Sequence, residues 1–125
     1  MADKEAGNAV IAELWSADYV EQRVKARSSF SAPVHDFAEG VNFGEIWTRP
    51  GLDRKMRCVV TLSALMAMNR THQAAGYINA ALNSGVTVEE LREILLHLAI
   101  YTGLPASIEA FKLAEQILRE RGLLE

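Results

Sequence analysis

Between residues 90 and 105 the chain reads Glu90-Leu-Arg-Glu-Ile-Leu-Leu-His-Leu-Ala-Ile-Tyr-Thr-Gly-Leu-Pro105. Aliphatic residues recur here at helical spacing, and the run closes with a glycine and a proline, which are typical of a helix terminus. Glu93, His97 and Tyr101 follow one another at intervals of four residues, so they share one face of the predicted helix. An acid, an imidazole and a phenol among aliphatic side chains predict a candidate acid/base site.

The same helical spacing continues along the whole chain, and runs that alternate between apolar and polar residues are missing. With 125 residues, the sequence predicts one all-α domain, residues 1–125, built from six helices. Residues 1–7 are polar and are expected to form a short frayed tail. The predicted helices span about residues 8–27, with a break near 16–18, and then 32–47, 53–69, 72–84, 87–102 and 105–121.

Composition excludes several classes of protein. Cys58 is the single cysteine, so no internal disulfide can form, and no Cys/His spacing resembles a metal site. The polar N-terminus does not resemble a signal peptide, and the longest apolar run, residues 58–68, is too short for a bilayer, which takes about 20 residues. The net charge of −3 is spread along the chain and offers no basic face for nucleic acid. We therefore expect a cytoplasmic protein that binds neither nucleic acid nor membrane.

The fifth predicted helix is apolar on two sides. Leu91, Leu95 and Leu98 lie on one face, whereas Leu96 and Ile100 lie nearly opposite, beside the face of Glu93 and His97. A small six-helix domain has too few layers to bury both sides, so a second subunit is expected to cover one of them. The sequence thus predicts an obligate homo-oligomer with the candidate site at or near a subunit boundary.

Structural roles compete with catalytic ones for these residues. Glu93 and His97 could form an ordinary intrahelical acid–imidazole pair or part of a solvated stripe. The catalytic alternative is a site in which Glu93 orients His97 and His97 transfers a proton. Tyr101 suits a core or interface aromatic as well as a pocket residue. His72, next to a predicted helix start at Thr71, suits the protein surface.

A second candidate group lies just before the turn at Pro50 and Gly51. Trp47 offers an indole wall, and Arg49 offers a guanidinium that can hold a carboxylate through two hydrogen bonds. The competing interpretation is an aromatic residue that seals the end of the second helix, with Arg49 on the surface. Cys58 is expected to be an inert core thiol.

Two long motifs resemble the γ-carboxymuconolactone decarboxylase family. They are Phe43-Gly-Glu-Ile-Trp-Thr-Arg-Pro-Gly-Leu-Asp-Arg-Lys-Met-Arg57 and the segment from Ala80-Ala-Leu-Asn-Ser-Gly-Val-Thr-Val to Tyr101-Thr-Gly-Leu-Pro-Ala106. The resemblance covers about residues 35–120. It implies an alkylhydroperoxidase-D-like all-α fold, assembly into a ring-like homohexamer or homotrimer, and decarboxylation of a lactone carboxylate without any cofactor. His97 and Arg49 match motif positions suited to proton transfer and carboxylate binding, with Glu93 behind His97.

Two departures from the family pattern qualify that resemblance. Decarboxylase sequences usually carry a histidine ahead of the Ala-Leu-Asn-Ser-Gly block, where this chain has Tyr77, a much weaker base near neutral pH. The Cys-x-x-Cys pair of the peroxidase branch falls on Arg70 and Gln73, which removes disulfide-based peroxidase chemistry. His72 falls between those two positions and becomes a pocket candidate.

The sequence therefore predicts an enzyme, a cofactor-free decarboxylase-like lyase that acts on a small carboxylate, lactone or enolisable ring compound. His97 and Glu93 would move the proton, and Arg49, Trp47, His72, Tyr77 and Tyr101 would line the substrate pocket. Two alternatives remain open. One is a family member with isomerase, dehydratase or cyclase chemistry in aromatic or secondary metabolism, and the other is a non-catalytic oligomer that binds a small molecule.

Overall fold

A computed structural model describes residues 2–125, and all regular structure within them is helical. The α-helices are α1 (Lys4–Leu14), α2 (Ala17–Ala26), α3 (Ala32–Phe37), α4 (Arg54–Ala67), α5 (Thr71–Asn83), α6 (Val88–Thr102) and α7 (Leu104–Glu120). Between α3 and α4 the helix continues as a π-helix, Ala38–Ile46. The all-α prediction is confirmed. The prediction of six helices is wrong, because the described residues form seven α-helices and a π-helix.

The N-terminal prediction is also wrong in part. Residues 4–7 are helical rather than frayed, because the Asp3 side chain accepts a hydrogen bond from the Ala6 backbone N–H and caps α1. Met1 lies outside the described residues. The break expected within the first helix is confirmed, since the Ser16 side chain caps α2 by accepting from the Tyr19 N–H at 3.0 Å.

Residue contacts divide the chain into two compact units, the first ending at Arg54 and the second spanning Lys55–Glu125. In the first unit, α1 packs along the π-helix and also contacts α2. In the second unit, α7 packs against both α5 and α6. The single-domain assignment of residues 1–125 stays a prediction.

The crossing of α1 and the π-helix in the first unit is close enough to require glycine. A Cβ at Gly7 would overlap the backbone oxygen of Glu39, and a Cβ at Gly44 would overlap that of Asp3. The two backbones therefore touch where the helices cross. The π-helical register shows directly at the end of the segment, where the Trp47 N–H donates to the Asn42 oxygen, five residues earlier, at 2.9 Å.

The core of the second unit comes from α4, which buries Cys58, Leu62 and Met66, and from α5, α6 and α7. Its buried apolar residues include Ile78, Leu91, Leu95, Ala110, Ala114, Ile117 and Leu118. None of the helices in residues 2–125 combines the length and the apolar character that a bilayer crossing requires.

Candidate active site

Helix α6 carries the largest group of predicted site residues, and the sequence fixes both of its ends. Thr87 and Glu90 form a capping box: Thr87 Oγ1 accepts from the Glu90 N–H at 3.0 Å, and a Glu90 carboxylate oxygen accepts from the Thr87 N–H at 2.9 Å. Gly103 ends the helix with a φ of 93°, a backbone conformation that suits glycine. The helix therefore begins and ends where the sequence predicts.

The start of α6 is also tied to α4. Lys55 Nζ donates to Glu90 Oε2 at 2.9 Å across the second unit. The hydrogen bond from the Thr87 backbone N–H, followed by the one from Lys55, lowers the pKa of the Glu90 carboxyl. The capping carboxylate thus stays ionised near neutral pH, where it can interact favourably with the positive end of the helix dipole.

Glu93, His97 and Tyr101 all lie on the exposed side of α6. The His97 and Tyr101 rings are 5.4 Å apart between centroids and inclined by 37°. Within the described residues, no hydrogen bond or ion pair joins Glu93 to His97. The imidazole therefore contacts the phenol ring and leaves its nitrogens available for other partners. The role of Glu93 in orienting His97 stays a prediction.

Apolar residues surround this acid/base group and are equally exposed. Leu96 is 55 % exposed, Ile100 is 83 % exposed and Tyr101 is 75 % exposed. We call the surface formed by Glu93, Leu96, His97, Ile100 and Tyr101 the outer face of α6. On the opposite side of the helix, Leu91 and Leu95 are buried. The two-sided apolar character of the sequence therefore corresponds to one buried face and one exposed face.

The other candidates in the second unit lie on α5. His72 is exposed in the first turn of this helix, and Tyr77 is half-buried one and a half turns later. Five residues separate them, so at about 100° per residue they point in different directions. Thr71 is the first residue of α5 rather than its cap, and the Arg70 that precedes it makes no capping hydrogen bond through its side chain.

Trp47 and Arg49 belong to the first unit. Trp47 is 4 % exposed, and its ring lies 5.7 Å from that of Phe43. Its carbonyl oxygen accepts a hydrogen bond from the Arg54 guanidinium. Arg49 is exposed, and its backbone N–H donates to the Ile46 oxygen at 3.1 Å. This environment resembles the core aromatic of the competing interpretation, and the pocket roles of Trp47 and Arg49 stay predictions.

A buried carboxylate in the first unit was not anticipated from the sequence. Glu39, on the π-helix, is 1 % exposed and accepts two hydrogen bonds from the Arg27 guanidinium, one of them 3.1 Å long. Arg23 Nη2 lies 3.7 Å from the same carboxylate. Burial alone would raise the pKa of Glu39, but the hydrogen bonds and charge of Arg27, helped by Arg23, outweigh burial and hold it below its ordinary value.

Glu39 is thus an ionised structural anchor, whereas the candidate acid/base residues lie on α6. The sequence does contain a signal for the close packing around Glu39, because Gly40 and Gly44 lie about one helical turn apart. No cluster of His, Cys, Asp and Glu suited to a metal ion occurs among residues 2–125.

The chain is similar to known decarboxylases. The model of the carboxymuconolactone decarboxylase family matches residues 32–116. The chain is 34 % identical over 117 residues to a 4-carboxymuconolactone decarboxylase of Acinetobacter baylyi, which covers 94 % of this chain and 87 % of that protein. It is 32 % identical over 108 residues to the nitrosuccinic acid decarboxylase npaB of Metarhizium robertsii, which covers 86 % and 76 %.

Proposed function

The chain belongs to the carboxymuconolactone decarboxylase family and has a decarboxylase-like function, and within that class we propose a cofactor-free carboxy-lyase that uses His97 for proton transfer. One observation carries the proposal. Two relatives that cover most of the chain are named for different carboxylic acids and for the same reaction, decarboxylation. The shared scaffold therefore supports this chemistry with more than one acid.

Decarboxylation needs two groups from the protein. The carbon–carbon bond to the carboxylate breaks, carbon dioxide leaves, and the electron pair moves into a neighbouring electron-withdrawing group of the substrate. A proton must then be delivered to the carbon or oxygen that received the electrons. A cation must also hold the carboxylate in place before the bond breaks.

His97 is the residue best suited to deliver the proton. An imidazole changes its protonation state near neutral pH, and the ring nitrogens of His97 have no hydrogen-bond partner among the described residues. Glu93, one turn earlier on the same face, would stabilise the imidazolium, and Tyr101 would pack along the ring. The carboxylate-binding role of Arg49 and the substrate-contacting roles of Trp47, His72 and Tyr77 are carried by their positions in the family motifs.

Self-association is part of this proposal. Acid/base residues act best in a site that excludes water, whereas the outer face of α6 is open in the single chain. Leu96, Ile100 and Tyr101 together expose an apolar patch that a monomer rarely leaves uncovered. A homohexamer or homotrimer in which a second copy covers the outer face would both bury the patch and enclose His97.

Tyr77 favours a second candidate within the same reaction class. A phenol replaces the histidine expected at this position, so the substrate can be an acid other than carboxymuconolactone. This candidate is supported by a relative of the chain that is named for nitrosuccinic acid instead of carboxymuconolactone.

The direct test offers 4-carboxymuconolactone and nitrosuccinic acid separately to the purified protein and measures carbon dioxide release. We expect turnover of at least one acid, and a loss of about 10²–10⁴-fold in kcat for His97→Ala, the usual contribution of a general acid or base. His35→Ala, at a histidine on α3 that has no role in the proposed pocket, serves as the matched control and should retain kcat. A His97→Ala variant that assembles normally and retains full turnover would contradict the role of His97, and absence of turnover with both acids would point to the changed-chemistry or binding-protein alternatives.

A further inference from the structure

Helices α6 and α7 line a cavity of about 210 Å³. A separate space of only about 10 Å³ lies nearer the Gly103 turn and is bordered by Ser107, Ala110 and Met66 of α4. For comparison, an engineered apolar cavity of about 150 Å³ is large enough to bind benzene. The larger cavity therefore has room for a small organic molecule.

The lining of this cavity is regular. Each helix contributes residues at positions i, i+3, i+4 and i+7, so that two matching stripes face each other. They are Val88, Leu91, Arg92 and Leu95 on α6, and Phe111, Ala114, Glu115 and Leu118 on α7. Leu124, near the C-terminus, borders the same space. The cavity is apolar apart from one cation and one anion.

The two charged residues of the lining are not equivalent. Glu115 Oε2 already accepts a hydrogen bond from Arg119 Nη2 at 3.2 Å, so its charge is compensated. Arg92 has no ion pair or side-chain hydrogen bond within residues 2–125. An unpaired guanidinium beside an apolar cavity favours a carboxylate whose hydrocarbon part fills the space.

We propose that the α6–α7 cavity is a binding site for a small apolar monocarboxylate, with the hydrocarbon between Leu91, Leu95 and Phe111 and the carboxylate on Arg92. The apolar part of this site is separate from the proposed catalytic face. His97 follows Leu95 by two residues, about 200° around α6, so the two lie on opposite sides of the helix, whereas Arg92, four residues before Leu96, lies at the border of the outer face. The inference therefore does not depend on which acid the enzyme decarboxylates.

Isothermal titration calorimetry of the full chain with hexanoate tests the site, with hexan-1-ol as the uncharged probe and acetate as the probe without a chain. We expect saturable hexanoate binding that is about tenfold weaker or worse in Arg92→Gln, because a charge-assisted hydrogen bond is lost. Hexan-1-ol should bind more weakly than hexanoate and be insensitive to Arg92→Gln. Acetate should give no saturable heat, since it fills none of the apolar space.

Two further variants locate the binding. Ala114→Leu adds volume inside the cavity and should abolish hexanoate binding, whereas Lys112→Gln, on the exposed side of α7, should leave it unchanged. His97→Ala should also bind hexanoate normally. The proposal is overturned if hexanoate shows no saturable binding at millimolar concentration, or if Arg92→Gln binds it like the unmodified chain. Loss of binding in His97→Ala would assign the carboxylate to the catalytic face instead. Circular dichroism checks that each variant is folded. If Ala114→Leu does not fold, the binding data for Arg92→Gln, a substitution at an exposed position, test the proposal.

Discussion

The α1/π-helix crossing and the outer face of α6 differ in the burial and pairing of their polar residues. At the crossing, Glu39 is buried and forms ion pairs with Arg27 and Arg23. On the outer face, Glu93 and His97 are exposed, without ion-pair partners in the described residues, among apolar side chains. The difference separates a polar group that serves the fold from polar groups that remain available for a substrate or a second copy.

The largest expected effect on folding comes from removing the buried carboxylate. Glu39→Ala leaves the Arg27 guanidinium, itself largely buried, without its main partner, and we expect a loss of about 3–5 kcal/mol in the free energy of unfolding. Urea denaturation followed by circular dichroism measures it. Glu13→Gln is the matched control, because this carboxylate is exposed, does not contact Arg27, and its pair with Arg54 should contribute less than about 1 kcal/mol.

The same residue gives the crossing a pH dependence. The pKa of Glu39 is lower in the folded chain than its ordinary value of 4.5, so the stability it contributes is present above pH 4.5 and is lost as the pH falls through the folded-state pKa. Below pH 4.5, the urea concentration at the unfolding midpoint should therefore decrease more steeply with falling pH for the unmodified chain than for Glu39→Gln. Parallel curves for the two proteins would contradict an ionised, buried Glu39.

A smaller effect is expected from adding a single methyl group at the crossing. Gly7→Ala places a Cβ against the backbone oxygen of Glu39, which cannot move aside like a flexible side chain, and overpacking of this kind costs about 1–3 kcal/mol. Gly51→Ala is the control, since a Cβ there meets nothing within 4 Å. Equal unfolding midpoints for the two variants would show that the helices do not approach as closely as described.

The capping box at the start of α6 is expected to contribute less again. Thr87→Ala removes the acceptor for the Glu90 N–H and should cost about 1 kcal/mol, the typical value for an N-cap. Thr87→Ser retains the hydroxyl and should recover most of the loss. A Thr87→Ser variant as unstable as Thr87→Ala would mean that the methyl group, rather than the hydroxyl, stabilises this end of the helix.

The smallest effect on the folding of one chain is expected on the outer face, where the effect on assembly should be the largest. Ile100 is 83 % exposed, so Ile100→Asp should change the unfolding free energy of a single chain by no more than about 0.5 kcal/mol. If a second copy covers this face, the substitution buries a charge and should lower the mass measured by light scattering. Glu109→Lys, an exposed charge change on α7, should leave that mass unchanged. A monomeric unmodified chain would contradict the assembly altogether.

The sequence predicted those elements whose signals are local. Helix α6 has its capping box at Thr87 and Glu90 and its terminating glycine at position 103, all within the segment they delimit. The break at Ser16 is local as well, because the serine caps the helix that follows it. Such contacts join residues three or four apart, and spacing alone reveals them.

Features that depend on residues far apart in the chain could not be predicted from spacing. The burial of Glu39 requires Arg23 on α2 and Arg27 just after it, 16 and 12 residues earlier in the chain, and no spacing rule connects them to Glu39. The exposure of Glu93, His97 and Tyr101 depends likewise on which neighbours α6 has. The spacing shows that Glu93, His97 and Tyr101 share one face of α6, whereas their roles in a site stay predictions.

The π-helix also affects how this chain should be aligned with its relatives. Each turn of Ala38–Ile46 takes up about one residue more than an α-helical turn, so a helical wheel drawn at the α-helical angle misplaces every position that follows. A relative that is α-helical throughout this segment would match the chain only with a gap of about two residues, since nine π-helical residues make about two turns. Residue-by-residue transfer of roles to Trp47 and Arg49, which come directly after the segment, therefore requires that the gap be placed within residues 38–46.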